Sequence, residues 1–296
     1  MMHTNARREV KKMLAEKYTT RELMAVCCAH EIKNGEVVFM GIGLPMMGGQ
    51  VASKTHDKDA ILVYEGGGVG AISRRVPWSI GDNPTAENAL MVHEMWRLFS
   101  DGQAGYINRG VIGGAQIDKF GNLNTTVIMG GKSYESPVVR LSGSGGANDI
   151  ASSCGETTIV MQMDKGFREK IDFITSPGHL TGPGARKKAG LVGNGPTAVI
   201  TQKCVLRFEE LTKEMYLDAL FPGETVEGVK SLVDWDLKVA PDIKVVTTPT
   251  IEEIDIIHTL DPKGFMLGAK SDGEEDFEKF FQLMKQAYEA VEINLG

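Results

Sequence analysis

Apolar residues recur at helical spacing in some stretches of this chain and in short unbroken runs in others, and the two patterns predict alternating helices and strands. Val10, Met13 and Leu14 form the stripe of a charged helix over 5–17. Thr19-Thr20-Arg21-Glu22 is a capping box. Leu23, Met24, Cys27, Cys28 and Ile32 keep helical spacing behind it, and Asn34-Gly35 ends that helix. Val37-Val38-Phe39-Met40 reads as a short buried strand, and Gly41-Ile42-Gly43-Leu44-Pro45 turns into a helix that runs to about Lys54. Ile61-Leu62-Val63-Tyr64 is a second strand. Its apolar run has no alternation, as expected for a strand buried on both faces of a parallel sheet. Further on, the pattern predicts a helix from Ala86 to Phe99 carrying His93, then strands over 106–112, 138–141 and 157–163. Short strands with a hairpin follow over 198–201, 205–208 and 214–217. Thr250 caps a helix through Ile254, Ile257 and Leu260, which Asp261-Pro262 stops. Phe277, Phe280, Phe281, Met284, Tyr288 and Val291 make the stripe of a C-terminal amphipathic helix. No Pro/Ser-rich linker and no internal repeat divides the chain. The expected organisation is one α/β domain over 1–268, an open, mainly parallel sheet flanked by helices, with a helical extension over 269–296.

Composition narrows the classes. The chain has 296 residues, 42% hydrophobic and 24% charged, which is ordinary for a globular protein. Asp and Glu outnumber Lys and Arg by 39 to 32, for a net charge of −7, which argues against a nucleic-acid or anionic-membrane surface. Its 4 cysteines form no C-x-x-C pair and read as small core residues of a cytoplasmic protein, so a zinc or redox motif is not expected. The start of the chain lacks a signal peptide's apolar segment, and no run approaches a membrane span.

The candidate chemistry centres on the second strand, which ends in one carboxylate, Glu65, followed by Gly66-Gly67-Gly68. Ligands bind at the carboxyl ends of strands in open α/β sheets, and glycines leave room for another molecule to approach. The bland alternative is a loop carboxylate that accepts backbone N–H bonds in a tight turn. Gly41 and Gly43 with Glu65 also resemble part of a dinucleotide-binding fingerprint, but Met46 stands where the third glycine belongs. Asp118-Lys119-Phe120-Gly121-Asn122 reads as a hairpin turn; its spacing fits no calcium loop. Gly143-Ser144-Gly145-Gly146-Ala147 follows a strand and opens a helix, where exposed amides can hold an anion or a developing oxyanion. Its plain alternative is a tight connection. Arg186-Lys187-Lys188 reads as a solvated basic cluster, with a phosphate contact as the alternative.

Several motifs in one order resemble the beta subunits of family I CoA-transferases, those of the glutaconate type above all. They are Gly43-Leu44-Pro45, Val63-Tyr64-Glu65-Gly66-Gly67, Gly113-Gly114-Ala115-Gln116-Ile117-Asp118 with Gly121-Asn122, and Gly143-Ser144-Gly145-Gly146-Ala147-Asn148. Lys170-Ile171-Asp172, Thr175-Ser176-Pro177-Gly178, Gly182-Pro183-Gly184 and Thr212-Lys213-Glu214-Met215-Tyr216-Leu217 continue the order. The resemblance implies that family's open α/β fold and an active site completed by a separate alpha subunit. It implies Glu65 as the catalytic glutamate, with Gly145 and Gly146 amides holding the thioester oxygen. It implies CoA and substrate contacts from Gly43, Gly66, Gly67, Gly114, Gln116, Gly143, Ser144 and Ala147. Coenzyme A would enter as an acyl-CoA substrate and a covalent intermediate, with no tightly bound cofactor and no metal. The family often has Ser where Gly66 stands. Relatives of the same fold hydrolyse or decarboxylate CoA thioesters, and a binding subunit without chemistry of its own is a further alternative; Glu65 favours transfer.

Overall fold

In the computed structural model the described residues are 12–267, together with Gln282, Lys285, Gln286 and Glu289, which are helical and exposed. The rest of the expected C-terminal helix, and the first seven residues of the helix expected over 5–17, lie outside them. The chain divides into two compact units. One comprises residues up to Gly35, Ile42–His93 and Thr248 onward; the other comprises Glu36–Gly41 and Glu94–Thr247.

The first unit carries helix α1 (Thr20–His30), helix α2 (Leu44–Lys54), strands β2 (Ile61–Tyr64), β3 (Gly68–Val69) and β4 (Met91–Val92), and the C-terminal helix α7 (Ile251–Leu260). Both expected capping boxes are present: the Thr19 side chain accepts from Glu22 N, and the Thr250 side chain accepts from Glu253 N. Each glutamate in turn accepts from the cap's backbone. Helix α1 ends at His30 rather than Asn34, because the Glu31 and Ile32 amides reach back three residues, to Cys28 and Ala29, and tighten the last turn. Gly48 lies against Cys28, so α1 and α2 approach closely. Residues 12–17 are not helical, contrary to the expectation for 5–17. Leu14 bridges Thr250, and the Ala15 amide donates to Pro249 O, so this stretch spends its hydrogen bonds on an extended partner. The helix expected from Ala86 also starts later. Met91–Val92 pairs antiparallel with Gly68–Val69, which places His93 beside Gly67 rather than on a helix.

The second unit carries β1 (Val37–Met40), helix α3 (Met95–Gln103), β5 (Arg109–Ile112), helix α4 (Ala147–Ser153), β10 (Glu156–Val160), helix α5 (Ala185–Lys188), β11 (Pro196–Ile200), β12 (Cys204–Phe208), β13 (Met215–Leu220), helix α6 (Val226–Lys230) and β14 (Lys238–Val245). Two short hairpins stand apart, β6 (Gln116–Ile117) with β7 (Leu123–Asn124) and β8 (Val127–Ile128) with β9 (Val139–Arg140). Strands β1, β5, β10 and β11 run parallel, and β12 and β13 add the expected antiparallel hairpin. The parallel strands are buried almost throughout, because both faces are covered, and polar residues such as Arg109, Thr157 and Thr158 are buried within them. Gly110 on β5 admits Ile150 of α4, where a Cβ would collide with its side chain.

Candidate active site

Strand β2 delivers Glu65 at its carboxyl end, half-buried, where the pattern placed it. The glycines after it serve a different purpose from the expected one. A Cβ on Gly66 would collide with the carbonyl oxygen of Ile80, one on Gly67 with that of His93, and one on Gly68 with that of Thr85. The side of the turn that a Cβ would take is therefore filled by the chain's own backbone at Ile80, Thr85 and His93, while Gly66 itself is exposed. Gly67 also has φ +117 and donates its amide to Tyr64 O at 2.8 Å, which bends the chain sharply after Glu65.

The segment 72–93 lies across this turn as a strap. Arg75, almost fully buried, grips Asp82 with two hydrogen bonds of 2.6 and 2.8 Å. Asp82 also accepts from Trp78 N at 2.9 Å, and the Arg75 guanidinium lies 4.4 Å from the Trp78 ring centre. Burial raises the Asp82 pKa, but these donors outweigh it and hold the carboxyl below its ordinary range. Arg74 pairs with Glu87, and Ile72 N donates to Glu87 O. Beneath the strap, Tyr64 is fully buried. Its hydroxyl accepts from Gln50 Nε2 at 2.6 Å; Gln50 Nε2 also reaches Ser73 Oγ at 3.4 Å, and Ser73 Oγ donates to Pro84 O at 2.6 Å. Burial pushes the Tyr64 phenol up to about 12, so it stays neutral. The apolar pattern did not point to Ser73 or to the Arg75–Asp82 pair. For Gln50 a signal was present: it is a lone amide in the apolar helix Leu44–Lys54.

Gly43 caps α2 at φ +86, with open space where its Cβ would stand. Gly41, the other glycine of the partial fingerprint, instead abuts Val111 O, and Met46 is fully buried in the third glycine's place.

The glycine loop 143–147 lies in the second unit. Gly143 and Gly145 have φ +92 and +49, and a Cβ on either would meet nothing within 4 Å. This loop is open where the turn at Glu65 is filled. It is anchored at both ends: Gly143 N donates to Thr125 O at 2.8 Å, and Ala147 N to Ser144 O at 3.0 Å. Among the described residues the amides of Gly145 and Gly146 pair with no backbone carbonyl, and Gly145 is exposed. Nearby in sequence, Gly114 is packed against Leu123. Gln116 is buried, and its carbonyl oxygen accepts from Asn124 Nδ2 at 2.6 Å. Gln116 thus holds the small hairpin together with at least half of its amide. Asp118 serves the turn, as expected: it accepts from the amides of Phe120 and Asn122 and from Asn122 Nδ2.

Arg186 departs from the solvated cluster expected of 186–188. It is buried, and its guanidinium donates to the carbonyls of Pro177, Gly178, Ala151, Val192 and Gly193. It stitches loops together while Lys187 and Lys188 stay exposed. No cluster of three or more His, Cys, Asp or Glu among the described residues has the arrangement to hold a metal ion, and no helix among them is long and apolar enough to cross a membrane.

Comparison with known proteins fits this geometry. The chain matches the family model described as Coenzyme A transferase over residues 21–232. It is 40% identical over 260 residues to the beta subunit of the 3-oxoadipate CoA-transferase of Pseudomonas knackmussii, a match spanning 87% of this chain and 99% of that protein. It is likewise 40% identical over 252 residues to the beta subunit of the glutaconate CoA-transferase of Acidaminococcus fermentans, spanning 80% of this chain and 93% of that protein. The crystal structure of glutaconate coenzyme A-transferase from Acidaminococcus fermentans superposes with a TM-score of 0.79 at 37% identity, over 86% of this chain and 98% of that one. The expected fold, an open α/β sheet flanked by helices, is therefore the fold of that enzyme. The decarboxylase AibA/AibB shares the fold at a TM-score of 0.72 and 18% identity.

Proposed function

Because this chain belongs to the coenzyme A transferase family, we propose that Glu65 is the nucleophile through which it moves CoA from an acyl-CoA thioester to a carboxylic acid. The protein is the beta subunit of a CoA-transferase and works with an alpha subunit. The observation that carries the role of Glu65 is its placement: a single half-buried carboxylate at the carboxyl end of a buried strand, on a turn locked from behind by the strap 72–93.

The chemistry then follows from a carboxylate alone. Glu65 attacks the thioester carbonyl, the C–S bond breaks, and CoA leaves as a thiolate from a mixed anhydride. The thiolate attacks the Glu65 carbonyl and expels the first acid, leaving CoA on Glu65 as a thioester. The second acid's carboxylate attacks that thioester, and the steps run in reverse. A carboxylate is a weak nucleophile in water, so orientation and preorganised donors must lower the barrier. Within the loop 143–147, the Gly145 and Gly146 amides are the donors suited to a developing oxyanion, and Gly143, Ser144 and Ala147 are the candidate acyl-CoA contacts. Gly43, Gly66, Gly67, Gly114 and Gln116 are the further candidate contacts to substrate and CoA. No base, metal or resident cofactor enters; coenzyme A is substrate and passing intermediate. The acids exchanged are dicarboxylates, a reading supported by the two relatives, which are named for 3-oxoadipate and glutaconate.

The test is borohydride treatment of the co-expressed alpha–beta complex after mixing with acyl-CoA. Conversion of the Glu65 carboxyl to a primary alcohol, seen only with acyl-CoA and lost in Glu65→Gln along with transfer, is the expected result. Consumption of acyl-CoA with an unmodified Glu65 would overturn it in favour of hydrolysis or decarboxylation.

A further inference from the structure

A carboxylate that must attack in line with a thioester gains most from being held in place, and the structure shows how this one is held. The hydroxyl of Tyr64, one residue before Glu65, is fully buried, as are the Gln50 amide and the Ser73 hydroxyl. Three polar groups buried together cost desolvation, and at Tyr64 a phenylalanine would fill nearly the same volume without that cost. Here they are joined end to end. Gln50 Nε2 donates to Tyr64 at 2.6 Å and reaches Ser73 at 3.4 Å, and Ser73 Oγ donates to the Pro84 carbonyl at 2.6 Å. The chain links three segments: helix α2 through Gln50, the end of β2 through Tyr64, and the strap through Ser73 and Pro84.

The strap end of this link is itself fixed. Pro84 lies in the single turn Asn83–Thr85, whose flanking Asp82 is clamped by Arg75. The next carbonyl, Thr85 O, is the one that presses on Gly68. Lys54 adds a second tie from the same helix, donating to Ser73 O at 3.2 Å. The ladder between β2 and β3 is registered at Val63–Val69, one residue before Tyr64. A Tyr64 hydroxyl held at the ring's far end adds a grip at the end of that ladder and limits the directions in which the next residue, Glu65, leaves the strand.

We propose that Gln50, Tyr64 and Ser73 are positioning residues for Glu65: their buried hydrogen-bond chain sets the carboxylate's angle of attack and contributes to catalysis without touching substrate. This rests on Glu65 being the nucleophile. The test uses Tyr64→Phe and Ser73→Ala in the alpha–beta complex, each of which removes a single oxygen atom. Rapid mixing with acyl-CoA and borohydride quenching gives two quantities, the fraction of Glu65 that is ever trapped and the rate constant at which the trapped species forms. The expected result is a rate constant per trappable site that falls about ten- to a hundredfold in both variants, with KM for acyl-CoA within about twofold of the parent. A merely structural role would lower the trappable fraction and the Tm and leave the rate per site unchanged; that outcome overturns the proposal. Failure to trap Glu65 in the parent enzyme would sink the nucleophile assignment instead, so the two failures are distinguishable.

Discussion

Gly66 and Gly145 both belong to the proposed chemistry, yet the structure gives them opposite reasons to be glycine. The first is filled: Ile80 O occupies the place of a Cβ. The second is left-handed but open, with φ +49 and nothing within 4 Å of where a Cβ would stand. Gly66→Ser therefore either displaces the strap or overpacks the turn, at a cost of about 1–3 kcal/mol, and should lower both Tm and transfer rate. Gly145→Ala meets only the left-handed backbone penalty of about 1 kcal/mol, so its Tm should stay close to the parent's. Thermal melts with an assay of transfer separate the two, and a Gly66→Ser chain as stable and active as the parent would refute the packing argument. His179 is a third residue with a readable consequence. It is buried against Phe208, and its Nε2 lies 2.9 Å from Pro196 O. Burial pushes its pKa down to about 4, with Lys213 and Arg186 pushing the same way against the carbonyl's help. The unfolded chain takes up this proton near pH 6.5, so the unfolded state binds more protons between about pH 6.5 and 4. Stability from this group is complete above that window and falls as pH drops through it, by up to about 3 kcal/mol. The urea midpoint should fall from pH 7 to pH 4.5, and His179→Gln should flatten that slope. The openness of Gly145 was the expectation for its loop, but the packing of Gly66 and of His179 was not legible in the sequence, for one reason. A glycine or a histidine reports only that it is special; what it packs against comes from residues about 15 to 30 positions away. Glu65 itself was legible, because an apolar run that stops at one carboxylate is a local signal.

At the scale of elements, legibility followed burial. The strands with both faces covered, β1, β2, β10 and β11, announced themselves as apolar runs. Strand β14 was missed: Lys238–Val245 contains Pro241, Asp242 and two lysines, is mostly exposed, and pairs with β13 through a register shift. An edge strand tolerates proline and charge because one side of it makes no ladder. The strap 72–93 was missed for a related reason, since its order comes from Arg75–Asp82 and Ser73–Pro84 rather than from periodicity. A second polar device lies at the opposite end of the parallel strands from their carboxyl edge. Arg109, 1% exposed at the start of β5, pairs with Glu36 before β1 at 2.9 Å and with Glu156 at the start of β10 at 2.7 Å. It also donates to Thr158 and Thr197. Desolvation alone would lower its pKa, but the two carboxylates outweigh it and raise it further, so the cation is permanent. Arg109→Met leaves two half-covered carboxylates facing each other and should destabilise the chain by about 3 kcal/mol. The cluster's hydrogen bonds run to Glu36, Glu156, Thr158 and Thr197, so any folded mutant should keep its rate per trappable Glu65. A stable mutant with a depressed rate per site would refute that separation of stability from chemistry.

At the scale of the whole molecule, the chain is built to be completed by another. The two relatives at 40% identity are named as subunits, and the match to the 3-oxoadipate enzyme's beta subunit takes up 99% of that protein but only 87% of this chain. The family model itself ends at 232, and the described fold continues through helix α7 to 267. What remains is the C-terminal stretch with Phe277, Phe280, Phe281, Met284, Tyr288 and Val291 at helical spacing. Six large apolar side chains on one stripe represent roughly 1.5–3 kcal/mol each if buried, too much to leave in water on an otherwise acidic chain. The expectation drawn from that pattern, a stripe that packs at a subunit interface, is open to a direct test. A chain truncated after Lys270, co-expressed with its alpha subunit, should assemble into a smaller complex or dissociate at a higher concentration than the full chain, as read by mass photometry across a dilution series. Its beta subunit should still fold, since the described elements through α7 are capped and buried without that stretch: Asp261 accepts the amides of Phe265, Met266 and Leu267 and closes the chain there. Truncation that leaves the complex's mass and dissociation unchanged would remove the interface role. Insoluble truncated chain, with the full chain soluble, would instead place the stripe against the beta subunit's own surface.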